Sequence, residues 1–556
     1  MTSSGDSATG ASRTPPPDHA GGDDATVRPS EAVPAYKVPE RSGEVLIDPP
    51  LDQIPAVLAA VRSAADAGAQ ILDTPLGLFR SQVRRRALSL AGPPTDGDAP
   101  GPAARAGTSA AAPMIAMGHQ PLFFHPGVWM KFFLLSRLCD DLGATGLHLI
   151  VDSDASGPIG AQVPARDGRL IRRSETLVDL PEDVPLEACP PPSEEAWEGF
   201  RARVRGHLVT LSLPDLPERF DAFAEGAGRA RAGAGTLAMF MAAARGRYEA
   251  GALPPRYRDL SVSALSDTPE FRAFVLHLLQ DPRAFRRCYN AKLEDYRRTH
   301  RLRSSANPFP NLDELAGVPE TPFWVVHGGR RTGLYAAREG DRVRLRTAAG
   351  TIADLPAGAA GLAPLAASGL RIRPKAITLT MFTRLCMADL FIHGIGGGRY
   401  DRVTDAVIQE IFGCPPPPYV VATATLLLPL LGQGPSAEDA RAVDRRLMDL
   451  QHNPERYLPA PTEAQRGLIE EKWRLIRGVE AMRPGPERRA ATHRIRAVNS
   501  LLAASLAGEM QRLRERRAAL EQDAATRDVT DDRGYPFFLF APAAVRDLVG
   551  APTGAT

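Results

Sequence analysis

Apolar positions along this chain change their period several times, and each change marks an element. From Met114 the pattern runs through a short continuous apolar stretch, MIAM, then VWMKFFLLSRLCDDLG, then a second continuous stretch, GLHLIV. In the middle stretch Val128, Phe132, Leu135, Leu138 and Cys139 share one face at helical spacing, while the flanking runs are too short for helices and read as buried strands. Strand, helix, strand is a βαβ unit, which implies parallel pairing and a right-handed crossover. The same grammar returns in RPKAITLTMFTRLCMADLFIHGIGGGRYDRVTDAVIQEIFG: a helix through Phe382, Leu385 and Cys386, a strand DLFIHG, a glycine-rich loop, and a helix in which Val403, Val407 and Ile411 recur at four-residue intervals. The predicted class is α/β, a Rossmann-like parallel-sheet core with inserted connecting segments and a C-terminal helical domain.

Boundaries follow from where periodicity stops. Residues 1–36 carry no pattern and read as a disordered tail. Residues 37–92 form an N-terminal helical piece with Ile54, Val57, Leu58 and Val61 in step, and 93–113, dense in Pro, Gly and Ala, a flexible linker. The core spans 114–429, interrupted by a helical insert at about 170–320 and a small β-meander at about 321–355, where alternation surrounds the turn REGD. Residues 430–525 read as a helical hairpin of two long helices separated by PGP. Ile495, Val498 and Leu502 open a coiled-coil stripe that Ser505 interrupts, and Leu506, Leu513 and Leu520 continue it one residue out of step. That break favours an antiparallel hairpin over a long parallel zipper. Its apolar surplus points to a homodimer through these helices. The tail, 526–556, contains DRGYPFFLFAPAAVRDL, an aromatic strand expected to dock on the core.

Composition narrows the partners. A net charge of +2, with no basic run interleaved with aromatics, does not point to nucleic acid. Cys139, Cys189, Cys288, Cys386 and Cys414 are widely spaced with no CxxC pair, which argues against a disulfide framework and a cysteine zinc site and fits a reducing cytoplasm. The most apolar window, YVVATATLLLPLLG, is shorter than the roughly 20 residues a membrane span needs and contains Pro429. The start lacks a basic segment followed by an apolar core, so no secretory signal is expected.

Ligands in open parallel sheets lie beyond the carboxyl ends of the strands. Three segments reach that edge here: GHQPLFFHPG, DSD and HGIGGGRYD. His119, Gln120 and Asp154 are therefore candidates to position a nucleophile or take its proton. His125, Asp152, Arg373, His393, Gly394, Gly396, Gly397, Gly398, Arg399 and Tyr400 are candidates to hold an anionic small molecule. Each has a plainer alternative. The histidines can cap backbone groups, DSD can be a turn instead of a Mg²⁺ site through Asp152 and Asp154, and the glycines can form a tight strand-to-helix turn. The glycine segment is neither GxGxxG, because Arg399 stands at the third glycine, nor a P-loop, because no Lys-Ser/Thr follows.

Taken together, the two loops resemble those of the bacillithiol-synthesis cysteine-adding enzymes. MGHQPLFFHPGVW is similar to that family's TGQQPGLFTGPLY loop at Gly118, Gln120, Pro121 and Phe124, and LIVDSDAS to its strand ending in EDHD. Gly394, Gly396 and Tyr400 match its GPGEIAY loop. The resemblance implies a nucleotidyltransferase-type core followed by a coiled coil, and a carbon–nitrogen ligase joining an amino or amide group to a carboxylate or sugar-derived acceptor, with ATP and Mg²⁺. The chain departs from it at His119, His125, Ser153 and Gly397, where the family has Gln, Thr, His and Glu. Those changes keep open a different class, a non-catalytic binding or scaffold protein on the same fold.

Overall fold

Side chains that alternate between two apolar layers organise the core. In a computed structural model that describes residues 36–63, 68–92, 112–252, 255–302, 309–430 and 437–550, the chain passes through β1 (Val45–Asp48), α1 (Ile54–Ser63), α2 (Leu76–Leu90), β2 (Met114–His119), α3 (Pro126–Leu142) and β3 (Thr145–Ile150). A hairpin, β4 (Ile159–Asp167) and β5 (Arg169–Val178), precedes α4 (Glu194–Val209), α5 (Asp215–Arg231) and α6 (Leu237–Ala250), after which β6 (Tyr257–Ser261) returns to the sheet. The main sheet has the order β1, then β13 (Tyr419–Ala424), β12 (Leu390–His393), β2, β3 and β6. All neighbours are parallel except β1, which runs antiparallel to β13. The predicted βαβ unit and the strand DLFIHG thus lie side by side at its centre.

Because a strand alternates its side chains, Ile115 and Met117 face one layer while Met114 and Ala116 face the other. The first layer is built on α3, with Trp129, Phe132 and Leu135. The second contains Phe271 and Phe274 of α7 (Pro269–Leu278), Phe382 of α9 (Ala376–Cys386), and Val403 and Val407 of α10 (Ile395–Phe412). Burial on both faces explains why the central strands read as continuous apolar runs. In α3, Pro126 occupies the first turn and Gly143, at φ 57°, ends the helix in the left-handed region that favours glycine.

Several strands escaped the sequence pattern, among them the hairpin β4–β5, the inner strand β13 and both edges of the main sheet. VLID, within the stretch read as helical, is the antiparallel edge strand β1. YRDLS, inside the supposed helical insert at 170–320, is the opposite edge, β6. It looks polar because Asp259 accepts from Arg245 (3.0 Å) and sits 2.6 Å from His148, an interior ionic pairing that apolar periodicity cannot register. The region at 170–320 is accordingly two connections on either side of a core strand. Beyond α8 (Pro282–Thr299), a second antiparallel sheet contains β7 (Val318–His327), β8 (Arg330–Glu339), β9 (Arg342–Thr347) and β10 (Gly350–Pro356), with β11 (Arg371–Pro374) on the other side of β7. The described chain from Val38 onward forms one compact unit. The tail and linker read at 1–36 and 93–113 lie, apart from residues 36, 112 and 113, outside the described residues.

The C-terminal module has four helices where two were expected. α12 (Glu463–Ala481) and α13 (Pro486–Ala503) form an antiparallel pair, tied by Arg494 to Glu471 (2.6 Å) and Gln465 to Ser505 (3.2 Å), while α11 (Ala437–His452) packs on α14 (Ala507–Thr530). A 3₁₀ turn at Ala504–Leu506 separates α13 from α14. The one-residue slip in the leucine stripe around Ser505 is this turn. Met448, Trp473 and Leu501 are exposed on the module. The aromatic tail is a turn at Phe537–Leu539 followed by α15 (Pro542–Gly550), not a strand, since its rings insert into the first layer: Phe538 stacks on Phe223 at 5.0 Å, and the Phe537 N–H donates to Phe124 O at 2.8 Å. No helix among the described residues is long and apolar enough to cross a membrane.

Candidate anion-binding site

The loops after β2 and β12 converge at the carboxyl edge of the sheet on a cavity of about 340 Å³. His119 and His125 approach from the β2–α3 connection and Lys131 from the second turn of α3; His393, Gly394, Gly396, Gly397 and Tyr400 come from β12 and α10. Thr423 of β13 and Arg533 from the C-terminal segment complete the wall. Among the described residues, no Asp or Glu lines it. The N-termini of α3 and α10 both reach the cavity; that of α3 is satisfied by His125, whereas the first turn of α10 has no side-chain cap and adds the partial positive charge of its N–H groups.

Charge in this cavity is positive and poorly compensated. Lys131 is only 3% exposed, and among the described residues it has no hydrogen-bond or ion-pair partner. Burial lowers its ammonium to about 8. Arg533 donates from one nitrogen to Ala424 O (3.0 Å) and Thr423 Oγ1 (3.3 Å), and its Nε is buried without an acceptor. Gly127 is the residue that lets this arginine in, because a Cβ there would stand 2.5 Å from Ala424 O and 2.7 Å from the Arg533 guanidinium.

The three histidines are held neutral. Desolvation, then the nearby Lys131, pushes His119 down to about 3; its Nδ1 lies 2.9 Å from Gln120 O, which assigns the proton to Nδ1 and leaves Nε2 as an acceptor. His125 caps α3 by accepting the Gly127 N–H at 3.1 Å, and burial followed by Arg533 and Lys131 lowers it to about 4. His393 sets Nε2 2.8 Å from Asp401; burial lowers the imidazole while Asp401 opposes that shift. Burial pushes Asp401 upward, but Arg384 at 2.5 Å and His393 outweigh it and hold the carboxyl at about 2. Behind the cavity, therefore, stands a chain of Arg384, Asp401 and His393.

The glycines are not a loop: Gly396, Gly397 and Gly398 occupy the first turn of α10, with Gly394 as its cap. A Cβ on Gly397 would fall 2.3 Å from His393 Nδ1, and one on Gly398 2.2 Å from Val421, so both are needed for close approach. At Gly394 and Gly396 a Cβ would meet nothing within 4 Å.

Several expected site residues lie elsewhere. Arg399 is exposed and absent from the cavity wall, one residue round the helix from Tyr400, and cannot serve as its anion clamp. Gln120 donates to Asp154, which also pairs with Arg331 of β8 and accepts the Ala155 N–H at 3.1 Å. Asp152 is buried, receives Ser263 N–H at 2.9 Å, and is raised to about 6 chiefly by desolvation. Arg373 is clamped between Glu187 (2.7 Å) and Asp267 (2.8 Å). These groups join inserts to the core. Asp152 and Asp154 thus engage different partners, and no group of three or more His, Cys, Asp or Glu that could hold a metal occurs among the described residues. All five cysteines are buried with their thiols raised, so none is a thiolate near neutral pH.

Sequence reasoning missed Lys131 and Arg533. A signal existed for the first, since Lys131 stands three residues after Val128 and four before Leu135, on the apolar face. None existed for Arg533, which tertiary folding brings to β13.

The fold and cavity define an α/β protein whose parallel sheet carries a cationic cavity beyond its strand ends. No family profile and no curated protein matches the chain. Among solved structures, a tyrosyl-tRNA synthetase from Aeropyrum pernix is similar over 81% of this chain and 98% of its own, at 11% identity and a TM-score of 0.21, a likeness too low to bear on function.

Proposed function

We propose that the protein is a ligase or group-transfer enzyme, distantly akin to the bacillithiol cysteine-adding enzymes, that joins an amino or amide group to a small anionic acceptor. The observation that carries this reading is the cavity in which Lys131, Arg533 and the uncapped N-terminus of α10 meet with no acidic side chain among the described residues. In this reading the anionic group of the acceptor sits against Lys131 and Arg533. With the acceptor carboxylate first activated by ATP as an acyl phosphate, His393, oriented by Asp401, takes the proton of the attacking amine as its nitrogen bonds the acyl carbon and phosphate leaves, a contribution typically worth about 10² to 10⁴-fold. His119 offers its free Nε2 to the nucleophile. Gln120 and Asp154 act indirectly, by fixing the loop that carries His119.

A second reading, a non-catalytic binding or scaffold protein, is favoured by one feature: Gln120 and Asp154, the matched polar positions beside the first strand, bond each other and Arg331 and not the cavity. A thermal-shift series with ATP, Mg²⁺, cysteine and glucosaminyl-malate, followed by mass spectrometry of the mixtures, separates the two. The enzyme reading expects the anionic members to raise the melting temperature and an amide product to form. Stabilisation without product under every pairing supports the binding reading, and no stabilisation by any anion removes both.

A further inference from the structure

The charge inventory of the cavity narrows what can enter it. Lys131 is buried without a partner, and Arg533 retains a buried Nε with no acceptor. The uncapped first turn of α10 adds roughly half a charge, which brings the wall to about two and a half positive charges, since the N–H groups of α3 are already taken by His125. A neutral ligand leaves all of that uncompensated, and a monocarboxylate leaves about one and a half charges, although buried unpaired charge is costly. A dianion offsets both full cations, and the helix N–H groups then bond the remaining oxygen.

Shape points the same way. Donors converge from three directions: α3 with Lys131, α10 with its first-turn N–H groups, and the C-terminal segment with Arg533. Convergence from three sides suits a tetrahedral oxyanion better than a planar carboxylate. Gly394 and Gly396 border open space, so the α10 N–H groups stay within reach of a ligand oxygen.

Resting on the anionic-acceptor reading above, we propose that this cavity binds a phosphate group, carried by a small phosphate ester or a nucleotide, with Lys131 as its counter-ion and the first turn of α10 as its backbone cradle. The lysine is then the feature that folding alone does not explain. Replacing it by a neutral side chain of similar length removes a buried charge and relieves the empty protein while disabling the site.

Isothermal titration of the full chain with inorganic phosphate, glycerol 3-phosphate, ADP and malonate tests this, on wild type, Lys131→Met and Gly396→Leu. The expected result is binding of phosphate and glycerol 3-phosphate ahead of malonate, weakened at least about tenfold by Lys131→Met, whose melting temperature holds or rises. Gly396→Leu puts a bulky side chain at a position that lines the cavity and is expected to give the same loss should the lysine variant fail to fold. ADP binding tenfold or more above glycerol 3-phosphate assigns the phosphate to a nucleotide; the reverse assigns it to a small ester. Phosphate binding unchanged in both variants overturns the site. Malonate preferred over phosphate overturns the phosphate class and leaves the anionic-acceptor reading standing, whereas failure of every anion to bind overturns both.

Discussion

Arg373 and Lys131 are both buried cations near the carboxyl edge of the main sheet, 1% and 3% exposed, yet they are opposites. Arg373 is neutralised twice, by Glu187 and Asp267, and joins β11 to the segments before α4 and α7. Lys131 is neutralised by nothing among the described residues and lines a cavity. A satisfied buried ion pair is a fold device: breaking it costs stability because the surviving partner is left charged and dry. An unsatisfied one is destabilising in the empty protein and has a purpose only when something else supplies the counter-charge. The sequence reading placed Arg373 among the anion-binding candidates and passed over Lys131; burial and pairing reverse that ranking.

The largest effect expected from this contrast is at the paired site. Arg373→Met leaves Glu187 buried without its cation and lowers unfolding free energy by about 3–5 kcal/mol in a denaturant titration, while phosphate affinity of the folded fraction stays at the wild-type value. A destabilisation below about 1 kcal/mol would erase the distinction between the two cations.

A smaller effect separates two neighbouring glycines within the cavity. Gly397→Ala forces a Cβ to 2.3 Å from the His393 ring and costs roughly 1–3 kcal/mol, with loss of the His393 orientation. Gly396→Ala meets no atom within 4 Å and leaves stability equal or slightly improved, since alanine favours a helix over glycine. Thermal melts of the pair check this; equal destabilisation would mean the first turn of α10 is uniformly packed and not open to a ligand.

The smallest effect concerns a histidine held neutral beside Lys131. His119 falls from 6.5 to about 3 on folding, so below pH 6.5 the unfolded chain binds a proton that the folded chain refuses. Its contribution is present above pH 6.5 and is lost progressively as pH falls toward 3, amounting to roughly 1 kcal/mol by pH 6. Asp152 and Glu249, raised by burial to about 6 and 7, act in the opposite sense, so whole-protein stability does not isolate the histidine. The difference between wild type and His119→Gln does: it moves against wild type as pH falls from 7 to 5. A difference independent of pH over that range would mean His119 keeps its ordinary affinity for protons and is not desolvated.

Local adjacency made part of the site legible. His119, His125, His393, Gly394, Gly396, Gly397 and Tyr400 line one cavity because each follows or flanks a strand whose apolar run is visible in the sequence, and parallel strands deliver their following loops to the same edge. Gln120, Asp152, Asp154, Arg373 and Arg399 sit at similar local positions but turn away, since rotamer, helix face and the nearest opposite charge decide orientation, and those partners come from Ser263, Arg331, Glu187 and Asp267 far along the chain.

By itself the sequence determined the elements whose signal is continuous over a few turns: β2, α3, β3, α9, β12 and α10, the antiparallel meander, and the register break at Ser505. Apolar periodicity is a short-range property and survives being read in one dimension. Tertiary structure alone decided that VLID and YRDLS close the sheet at its two edges, that Arg533 reaches β13, and that an unpaired Lys131 stands inside a cavity free of carboxylates. Edge strands and ionic partners take their energy from long-range contacts, and a charge declares itself paired or unpaired only once every neighbour that could neutralise it has been brought within a few ångströms.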